Sequence, residues 1–309
     1  MQTKVKIMVA TIFSALISFG PSFAEYWRAG DTRYTYRRPV DGSAAYDQTV
    51  TIIGKAEKHR VRERESLLDI SRHYHLGYTE LIQANPGIDP WVPVVGREIH
   101  IPSAWILPRG PYRGIVLNIA EMRLYFFVSD SEVMTFPLGI GMEGWDTPSG
   151  RYRIGEKRTN PIWYVPASIQ KEMKVPRKVV LPGPDNPLGS HWMRLSHTSY
   201  GIHGTNNPWA VGRYVTHGCI RLYPEDISYL FPRIPPGMPV QVIYQYAKVG
   251  LKDGKAYFQV NRYHGRKDGP LLADLIRQFL VLGIPADLRQ VRNLLHGAPD
   301  GALIEVPLK

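Results

Sequence analysis

The hydrophobic pattern of residues 59–102 predicts a small unit in which two strands flank two helices. Ser66 is a typical helix N-cap residue, and the apolar side chains that follow it recur at helical spacing. The second helix is predicted to stop at Asn85-Pro86-Gly87. A unit of this size is too small for an enzyme and suits a binding module. The predicted elements, in order, are a strand at 59–62, a helix carrying Leu67, Ile70 and Tyr74, a helix at 79–84 and a strand at 98–101.

Short alternating apolar and polar runs dominate residues 113–245 and predict a mainly β unit. Thr147-Pro148-Ser149-Gly150 is predicted to be a turn. Segment 156–198 is long, rich in proline and nearly without periodic runs. Because so long an irregular loop in a compact domain is usually functional, it is predicted to form a lid over Cys219. The predicted strands are 115–119, 123–128, 133–139, 152–154 and 240–244, and one short helix is predicted at 224–231.

Residues 247–309 form a third region with its own pattern. Asp253-Gly254 lies between apolar runs and predicts a hairpin turn. Two helices are predicted near 270–282 and 287–295. The stripe of leucines on the first of them predicts a packed core rather than a partner groove. The sequence indicates no role for this C-terminal α+β appendage.

Composition indicates a globular chain that is rich in turns. Of the 309 residues, 44% are hydrophobic and 21% are charged, so disorder is not indicated. This length allows two or three domains with cores of their own. The 26 prolines and 28 glycines favour many turns and a β-rich architecture.

The first 24 residues have the pattern of a secretory signal. A basic start precedes an apolar run at 7–19, and a small-x-small cleavage site ends at Ala24. The apolar run is shorter than the roughly 20 residues that a bilayer needs, so cleavage is favoured over an anchor. Residues 1–24 are therefore predicted to be a signal peptide and 25–58 an exposed N-terminal extension. The mature chain is predicted to have no membrane span.

The net charge limits which binding partners are expected, and the single cysteine limits which roles Cys219 can have. The formal net charge is +11, which for an exported protein favours anionic wall polymer, acidic peptides or an outer-membrane surface. Nucleic acid is not expected as a partner. A single cysteine cannot form an intramolecular disulfide in an oxidising compartment, so Cys219 is either inert and buried or free and functional.

Cys219 lies in the stretch 200–222 together with two histidines. A thiol attacks as thiolate, and a neighbouring imidazole can take its proton and hold an ion pair near neutral pH. His203 is the predicted base, because a loop can bring it against Cys219 from the side. His217 is only two residues from Cys219, and in an extended segment a residue at that spacing usually points alongside or to the opposite face. Gly218 allows a sharp turn, in which the N–H groups of Gly218 and Cys219 are predicted to converge on an oxyanion.

Two other interpretations of the cysteine remain open from the residues alone. It can be a buried structural residue with satisfied histidines. It can also ligate zinc together with His203 and His217, although closed zinc sites usually show a second pair of ligands, which is missing here. We expect neither a metal nor another cofactor.

Thr216-His217-Gly218-Cys219-Ile220, with a histidine upstream, resembles the signature of the L,D-transpeptidase family. The resemblance implies that Cys219 is acylated, that His203 carries protons, that Gly204 orients His203 through its carbonyl, and that His217 buttresses the site. Many family members have Asn where this chain has Arg221. Arg221 is predicted to pair with a substrate carboxylate or, alternatively, to form a surface salt bridge. The predicted substrate-binding residues are Arg221, Thr216 and Tyr200.

Residues 59–102 resemble a LysM domain, most clearly in LIQANPGIDPWVPVVGREIHIP. This resemblance implies affinity for glycan that contains N-acetylglucosamine. The chain departs from the LysM pattern at Glu63-Arg64-Glu65, where a Gly-Asp turn is usual. The fold class expected is a mainly β catalytic domain of L,D-transpeptidase type, similar to a β-sandwich, at 113–245, a βααβ LysM-like domain at 59–102 and a C-terminal α+β appendage at 247–309.

The two resemblances together are typical of Gram-negative periplasmic enzymes, to which the segment 182–189 is also similar. They imply a peptidoglycan L,D-transpeptidase that forms a thioester with meso-diaminopimelate in a donor stem, releases D-Ala and transfers the acyl group to an amine. The acceptor is left open between another diaminopimelate and the lysine of an outer-membrane lipoprotein. The alternatives are a cysteine hydrolase, which gives the acyl group to water, and a non-catalytic wall-binding scaffold.

Overall fold

The computed structural model describes residues 32–38, 49–173, 178–262 and 267–309, so the predicted signal peptide and most of the N-terminal extension lie outside the described residues. The strands are β1 Arg33–Thr35, β2 Ile52–Gly54, β3 Glu57–Arg60, β4 Glu98–Ile101, β5 Ala104–Ile106, β6 Gly114–Asn118, β7 Arg123–Phe127, β8 Glu132–Pro137, β9 Ile140–Gly141, β10 Gly150–Thr159, β11 Trp163–Tyr164, β12 Val179–Val180, β13 His191–Leu195, β14 Gly201–His203, β15 Tyr214–Thr216, β16 Ile220–Arg221, β17 Pro239–Ile243, β18 Ala247–Lys252, β19 Lys255–Val260 and β20 Ile304–Val306. The α-helices are α1 Leu67–His73, α2 Tyr78–Ala84, α3 Ala167–Met173, α4 Pro224–Leu230, α5 Asp268–Val281 and α6 Leu288–Gly297. Short 3₁₀ turns lie at Ile119–Glu121, Pro208–Ala210 and Phe231–Arg233.

One nine-stranded sheet, in the order β1-β8-β7-β6-β17-β10-β13-β14-β16, carries the region predicted to be catalytic. The pairs β6/β17 and β14/β16 are parallel, and the other pairs are antiparallel. β10 pairs with β17 through its first half and with β13 through its second, and the register with β13 shifts between Ile154 and Lys157. Such an irregularity bends a strand, so the sheet curls. The mainly β fold predicted from the sequence is confirmed.

The predicted irregular segment 156–198 is partly regular. Its two ends belong to β10 and β13 of the main sheet, so the sequence-based prediction of one continuous irregular loop is wrong. The predicted strand 152–154 is longer than expected, and the sequence hid its continuation because Ile154 is the one buried residue of Gly150–Thr159. The described part that leaves the sheet, residues 160–173 and 178–190, contains the β11/β12 pair and α3 and is called the lid below.

The predicted βααβ order of residues 59–102 is confirmed by β3, α1, α2 and β4. Ser66 caps α1 in a capping box with Asp69, as its position in the sequence suggests. Arg64 has a φ of +64°, so an arginine occupies the left-handed conformation that a glycine would adopt more easily.

The LysM-like unit is packed against the main sheet rather than tethered to it. Apolar residues of α1 and α2 share one buried core with Val116 and Tyr125 of the sheet. Fully buried Arg123 on β7 pairs with Glu80 of α2 at 2.7 Å and stacks over Trp105. The unit is therefore part of the body that positions the site.

The C-terminal residues form a three-stranded sheet, β18-β19-β20, covered by α5 and α6. The predicted hairpin turn at Asp253-Gly254 is confirmed, with both residues at positive φ. Leu271, Leu275 and Phe279 are buried, so the leucine stripe of α5 forms a core as predicted. Across the described ranges, we find no helix with both the length and the apolar character needed to cross a bilayer.

Candidate active site

Two short parallel strands, β14 and β16, bring the predicted nucleophile and base together. Ile202 pairs with Ile220, and both side chains are fully buried in the core. Successive side chains of a strand point to opposite faces, so the residues that flank these isoleucines point away from that core. His203, Cys219 and Arg221 accordingly line one cavity of about 550 Å³. His203 and Cys219 are sixteen residues apart in the sequence, and the pairing of β14 with β16 brings them together.

The turn before Cys219 is tightly constrained. Gly218 has a φ of +96°, and a Cβ there would lie 2.4 Å from the ring of Tyr200. The Thr216 hydroxyl donates to the carbonyl of Cys219 at 2.6 Å and accepts from the N–H of Gly218 at 3.2 Å. The buried Thr147 hydroxyl donates to the carbonyl of Gly218 at 2.7 Å. Only glycine fits this position, as the sequence motif suggested.

This hydrogen bonding bears on two predicted roles. The N–H of Gly218 already has an acceptor in Thr216, so it does not stand ready as an oxyanion donor in this state. Thr216 lines the cavity, but its hydroxyl is used twice within the turn and its side chain is buried. Thr216 thus braces the turn, and its predicted contact with substrate stays a prediction. Tyr200 lines the cavity and covers Gly218.

His203 is buried and has a defined orientation. Its Nδ1 lies 2.6 Å from the carbonyl oxygen of Gly204, and its ring stacks on Trp192 with centroids 5.5 Å apart. Because a carbonyl only accepts, Nδ1 must carry the proton, which leaves the lone pair on Nε2. This contact is the one that the predicted orienting role of Gly204 requires.

Burial disfavours the charged forms of both members of the pair. Desolvation raises the pKa of the Cys219 thiol, while a backbone hydrogen bond from Gly201 and the charge of Arg221 oppose that rise. Desolvation, and then the charge of Arg221, lower the pKa of His203 to about 3. Both shifts favour the neutral thiol and the neutral imidazole over the expected resting thiolate–imidazolium pair, because charge is disfavoured in a desolvated pocket.

The charge of Arg221 acts on both His203 and Cys219. Arg221 is paired with His203 in the register of β14 and β16. Its N–H donates to the carbonyl of Gly139 at 2.8 Å, and its carbonyl accepts from the N–H of Gly139 at 2.9 Å. Within the described residues its Nε is buried without a hydrogen-bond partner. The alternative prediction of a surface salt bridge is wrong, since this guanidinium belongs to the wall of the cavity.

His217 occupies a different part of the same cavity. Its ring meets Trp145 edge-on at 4.7 Å, whereas His203 stacks on Trp192. The two histidines thus contact different elements, as the separate predicted roles require. Among the residues that the structure describes, no three His, Cys, Asp or Glu side chains are grouped so that they could hold a metal ion.

The lid closes one side of the cavity with apolar residues, among them Ile162, Trp163 and Ile169. Buried Asn186 holds the lid together: its amide donates to the carbonyl of Pro161 at 2.8 Å, and its Oδ1 accepts from the N–H of Leu188 at 2.9 Å. The prediction that this segment covers Cys219 is confirmed in position, although the lid is a structured hairpin and helix.

Sequence analysis missed the aromatic wall of the site. Trp145, Trp163 and Trp192 all line the cavity, yet they lie in three separate segments. A tryptophan is common in any core, and single positions show no period that distinguishes a cavity wall from packing. The signal that was available is the position of two of them beside proline-rich turns.

Comparison with known proteins agrees with this geometry. Residues 112–242 match the model of the L,D-transpeptidase catalytic domain, and residues 59–102 match the model of the LysM domain. A solved L,D-transpeptidase from Mycobacterium smegmatis aligns at 22% identity over 48% of this chain and 64% of that chain, with a TM-score of 0.32. So distant a structural likeness carries no argument of its own.

Sequence relatives cover more of the chain. The probable L,D-transpeptidase YcfS of Escherichia coli (strain K12) is 39% identical over 66% of this chain and 67% of its own length. The probable L,D-transpeptidase YbiS of the same organism is 36% identical over 74% of each chain. The probable L,D-transpeptidase ErfK/SrfK of Salmonella typhimurium is 33% identical over 85% of this chain and 88% of its own. The chain belongs to the L,D-transpeptidase family.

Proposed function

We propose that this protein is a peptidoglycan L,D-transpeptidase in which Cys219 is the nucleophile and His203 carries the protons. The observation that supports this most directly is the pairing of β14 with β16, which points Cys219 and His203 into one cavity while the Gly204 carbonyl fixes the imidazole tautomer. A thiol beside an oriented imidazole is the arrangement that nucleophilic acyl transfer needs.

In the first step, the Cys219 sulfur attacks the carbonyl of the third residue of a donor tetrapeptide, meso-diaminopimelate. The thiol proton moves to Nε2 of His203 as the S–C bond forms, so a neutral resting pair separates charge only during attack. The C–N bond then breaks, and D-Ala leaves with the proton that His203 returns to its amine. A thioester on Cys219 remains.

In the second step, an acceptor amine attacks the thioester and loses a proton through His203. The new amide bond forms, the S–C bond breaks, and Cys219 recovers its proton. The thioester preserves the energy of the cleaved peptide bond, so the transfer needs no further energy source. A second diaminopimelate gives a 3-3 cross-link, and a lipoprotein lysine gives a wall-anchored protein.

Arg221 is proposed to hold a carboxylate of the stem peptide. Arg221 lines the cavity, its Nε has no hydrogen-bond partner among the described residues, and a guanidinium binds a carboxylate through two parallel bonds. The same charge favours the thiolate as it forms. Tyr200 shapes the floor beside Gly218, and His217 buttresses the mouth against Trp145.

The structured lid favours transfer over hydrolysis. An apolar cover over the thioester slows water and leaves the acyl group for an amine that binds along the cavity. A cysteine hydrolase remains the alternative if water reaches the thioester first. A wall-binding scaffold remains the non-enzymatic alternative, and the constrained Gly218 turn argues against it, because a vestigial site would not need such close packing.

The LysM-like unit is proposed to hold wall glycan and to raise the local concentration of stems. This role and the predicted signal peptide both support a location in the periplasm of a Gram-negative cell. Peptidoglycan is then the partner, and nucleic acid is not.

Intact-protein mass spectrometry tests the proposal. Incubation with a purified tetrapeptide muropeptide or a carbapenem should add one acyl group per chain, and Cys219→Ala should add none. Cys219→Ser should also fail, because a hydroxyl is far less acidic than a thiol. The matched control Ser199→Ala, in the same cavity wall, should keep full acylation. An adduct that persists in Cys219→Ala would overturn the assignment, and tripeptide as the main product despite abundant amine would favour the hydrolase.

A further inference from the structure

Two arginines of the cavity have no role in the steps described above. Arg158 on β10 and Arg194 on β13 line the same cavity as Cys219. Their side chains are 44 and 47% exposed. Both guanidinium groups can therefore meet a molecule that enters the cavity from solvent.

Strand pairing places Arg158 and Arg221 at opposite ends of one row of residues across the cavity. The strands β10, β13, β14 and β16 are neighbours in the sheet, and their registers align Arg158, Trp192, His203 and Arg221. The rings of Trp192 and His203 stack at 5.5 Å, as adjacent members of such a row can. Because neighbouring strands are roughly 5 Å apart, three spacings separate the backbones of the two arginines by about 15 Å. His203 thus lies between two cationic ends.

Arg194 lies at the same end of the cavity as Arg158. Its neighbours Met193 and Leu195 are fully buried in the core, so the side chain of Arg194 points to the opposite face, which lines the cavity. The carboxylate of Glu156 lies between the two guanidinium groups, 2.6 Å from Nε of Arg158 and 3.4 Å from Nη2 of Arg194. Arg158 and Arg194 are called the arginine pair below.

The charge at this end of the cavity is positive even after its carboxylate is counted. The arginine pair carries two positive charges and Glu156 one negative charge, since the hydrogen bond from Arg158 lowers the pKa of Glu156. Asp146 and Asp185 are near in sequence to lining residues but do not themselves line the cavity. Three segments supply most of the lining and contain no Asp or Glu: 158–169, 187–203 and 216–221.

The second step of the proposed reaction brings an acceptor amine to a cavity that already holds the donor. The donor acyl group is then bonded to Cys219, and its carboxylate is held by Arg221 at one end of the row. His203 takes the proton of the acceptor amine, so the acceptor approaches His203 from the opposite end. The arginine pair lies at that end.

We propose that the arginine pair binds a free carboxylate on the acceptor residue and so selects the acceptor. This inference rests on the proposed transpeptidase function and adds the chemistry that the second substrate must carry. A guanidinium binds a carboxylate through two parallel bonds, and Glu156 holds the two groups side by side while leaving one positive charge uncompensated. A diaminopimelate with a free carboxylate beside its amine meets this requirement, and so does a lysine at the C-terminus of a chain.

Transfer from preformed acyl-enzyme tests the inference. The full chain is acylated with a tetrapeptide muropeptide, separated from excess donor, and mixed with a peptide that ends in lysine. This peptide is supplied as the free acid or as the C-terminal amide. The free acid should show a KM about tenfold lower than that of the amide, because only the acid offers a carboxylate. The same comparison with tripeptides whose diaminopimelate carboxylate is free or amidated distinguishes the two sources of the carboxylate.

Variants at the arginine pair test where the preference arises. R158Q/R194Q should show equal KM values for the acid and the amide. R158K/R194K keeps the charges without the planar forks and should recover part of the preference. E156Q removes the competing carboxylate and should lower the KM for the acid alone. The matched control R151Q/R289Q removes two other exposed arginines, which do not line the cavity, and should keep the tenfold ratio.

The outcomes separate this inference from the proposed function. Failure to form an acyl-enzyme on Cys219, or loss of its acyl group to water alone, would overturn the proposed function and this inference with it. Efficient transfer without preference for the acid of either acceptor would overturn the inference alone. So would a preference that survives in R158Q/R194Q or is lost equally in R151Q/R289Q. A preference shown with only one of the two acceptors would support the inference and identify the source of the carboxylate.

Discussion

Three histidines are buried among the residues that the structure describes, and their partners differ. His203, in the cavity, has the backbone carbonyl of Gly204 beside Nδ1. His75, between the LysM-like unit and α4, has the carboxylate of Asp226 at 3.2 Å. His59, in the LysM-like unit, has the carboxylate of Glu65 at 2.8 Å. All three side chains are less than a tenth exposed.

The partner determines what a buried imidazole can do. A carbonyl fixes the tautomer without adding negative charge, so His203 stays neutral and keeps Nε2 available for a proton. A carboxylate makes the imidazole a link between elements: His75 joins the α1–α2 connection to α4, and His59 joins β3 to the turn before α1. The same residue type thus serves proton transfer in one place and architecture in two others.

The largest effect is expected from His203→Ala. Without the base, acylation of Cys219 should fall by on the order of 10²- to 10⁴-fold, because the buried thiol then has no proton acceptor. The melting temperature should change little. Mass spectrometry of samples quenched at successive times measures the acylation rate, and calorimetry measures the melting temperature. An acylation rate within a few-fold of that of the unaltered protein would show that His203 is not the base.

His75→Ala should have the opposite profile. It leaves Asp226, which is fully buried, without its imidazole partner, and removal of one member of a buried pair costs about 3 kcal/mol or more. Unfolding in urea should show this loss, while acylation of folded protein should stay near normal. Asp226→Asn, which can still hydrogen bond, should lose less than Asp226→Ala.

The lowered pKa of His203 should make the stability of the protein fall in acid. The unfolded chain binds a proton at this imidazole near pH 6.5, whereas the folded protein does so only near pH 3, where burial has moved the pKa. The unfolded state therefore binds more protons between these values, and stability should fall as the pH drops through that window, by a few kcal/mol at about pH 3. His203→Gln should flatten the dependence of the melting temperature on pH. An acid limb of the acylation rate near pH 6.5 would contradict the neutral buried pair.

The local sequence pattern predicted which secondary-structure elements form, but it predicted less well which residues are buried. The capping box at Ser66, the hairpin at Asp253-Gly254 and the Gly218 turn each depend on a few neighbouring residues, so the sequence displayed them. The raised pKa of the Cys219 thiol depends on desolvation by segments far away in the chain, and no local spacing shows that.

The arrangement of the units was also hidden in the sequence. The β3–α1–α2–β4 order was visible, but the shared core with Tyr125 was not, because a buried strand and a buried helix face have the same apolar composition. The lid shows the converse. Proline-rich residues indicated a loop, while tertiary pairing of β10 with β13 imposed strand structure on both its flanks.

The smallest effect concerns the turn that His59 tethers. Glu65 accepts from the N–H of Arg62 at 2.8 Å and contacts His59, and between them Arg64 is held at a φ of +64°. A side chain in that conformation costs roughly 1 kcal/mol, which Arg64→Gly would relieve, while the freer unfolded chain returns part of the gain. We expect a net stabilisation of less than about 1 kcal/mol in urea unfolding. The matched control Arg62→Gly, at a neighbouring exposed arginine that is not at positive φ, should destabilise by roughly 0.5–1 kcal/mol. Equal losses in both variants would show that the tether to His59, and not the missing glycine, sets the energy of this turn.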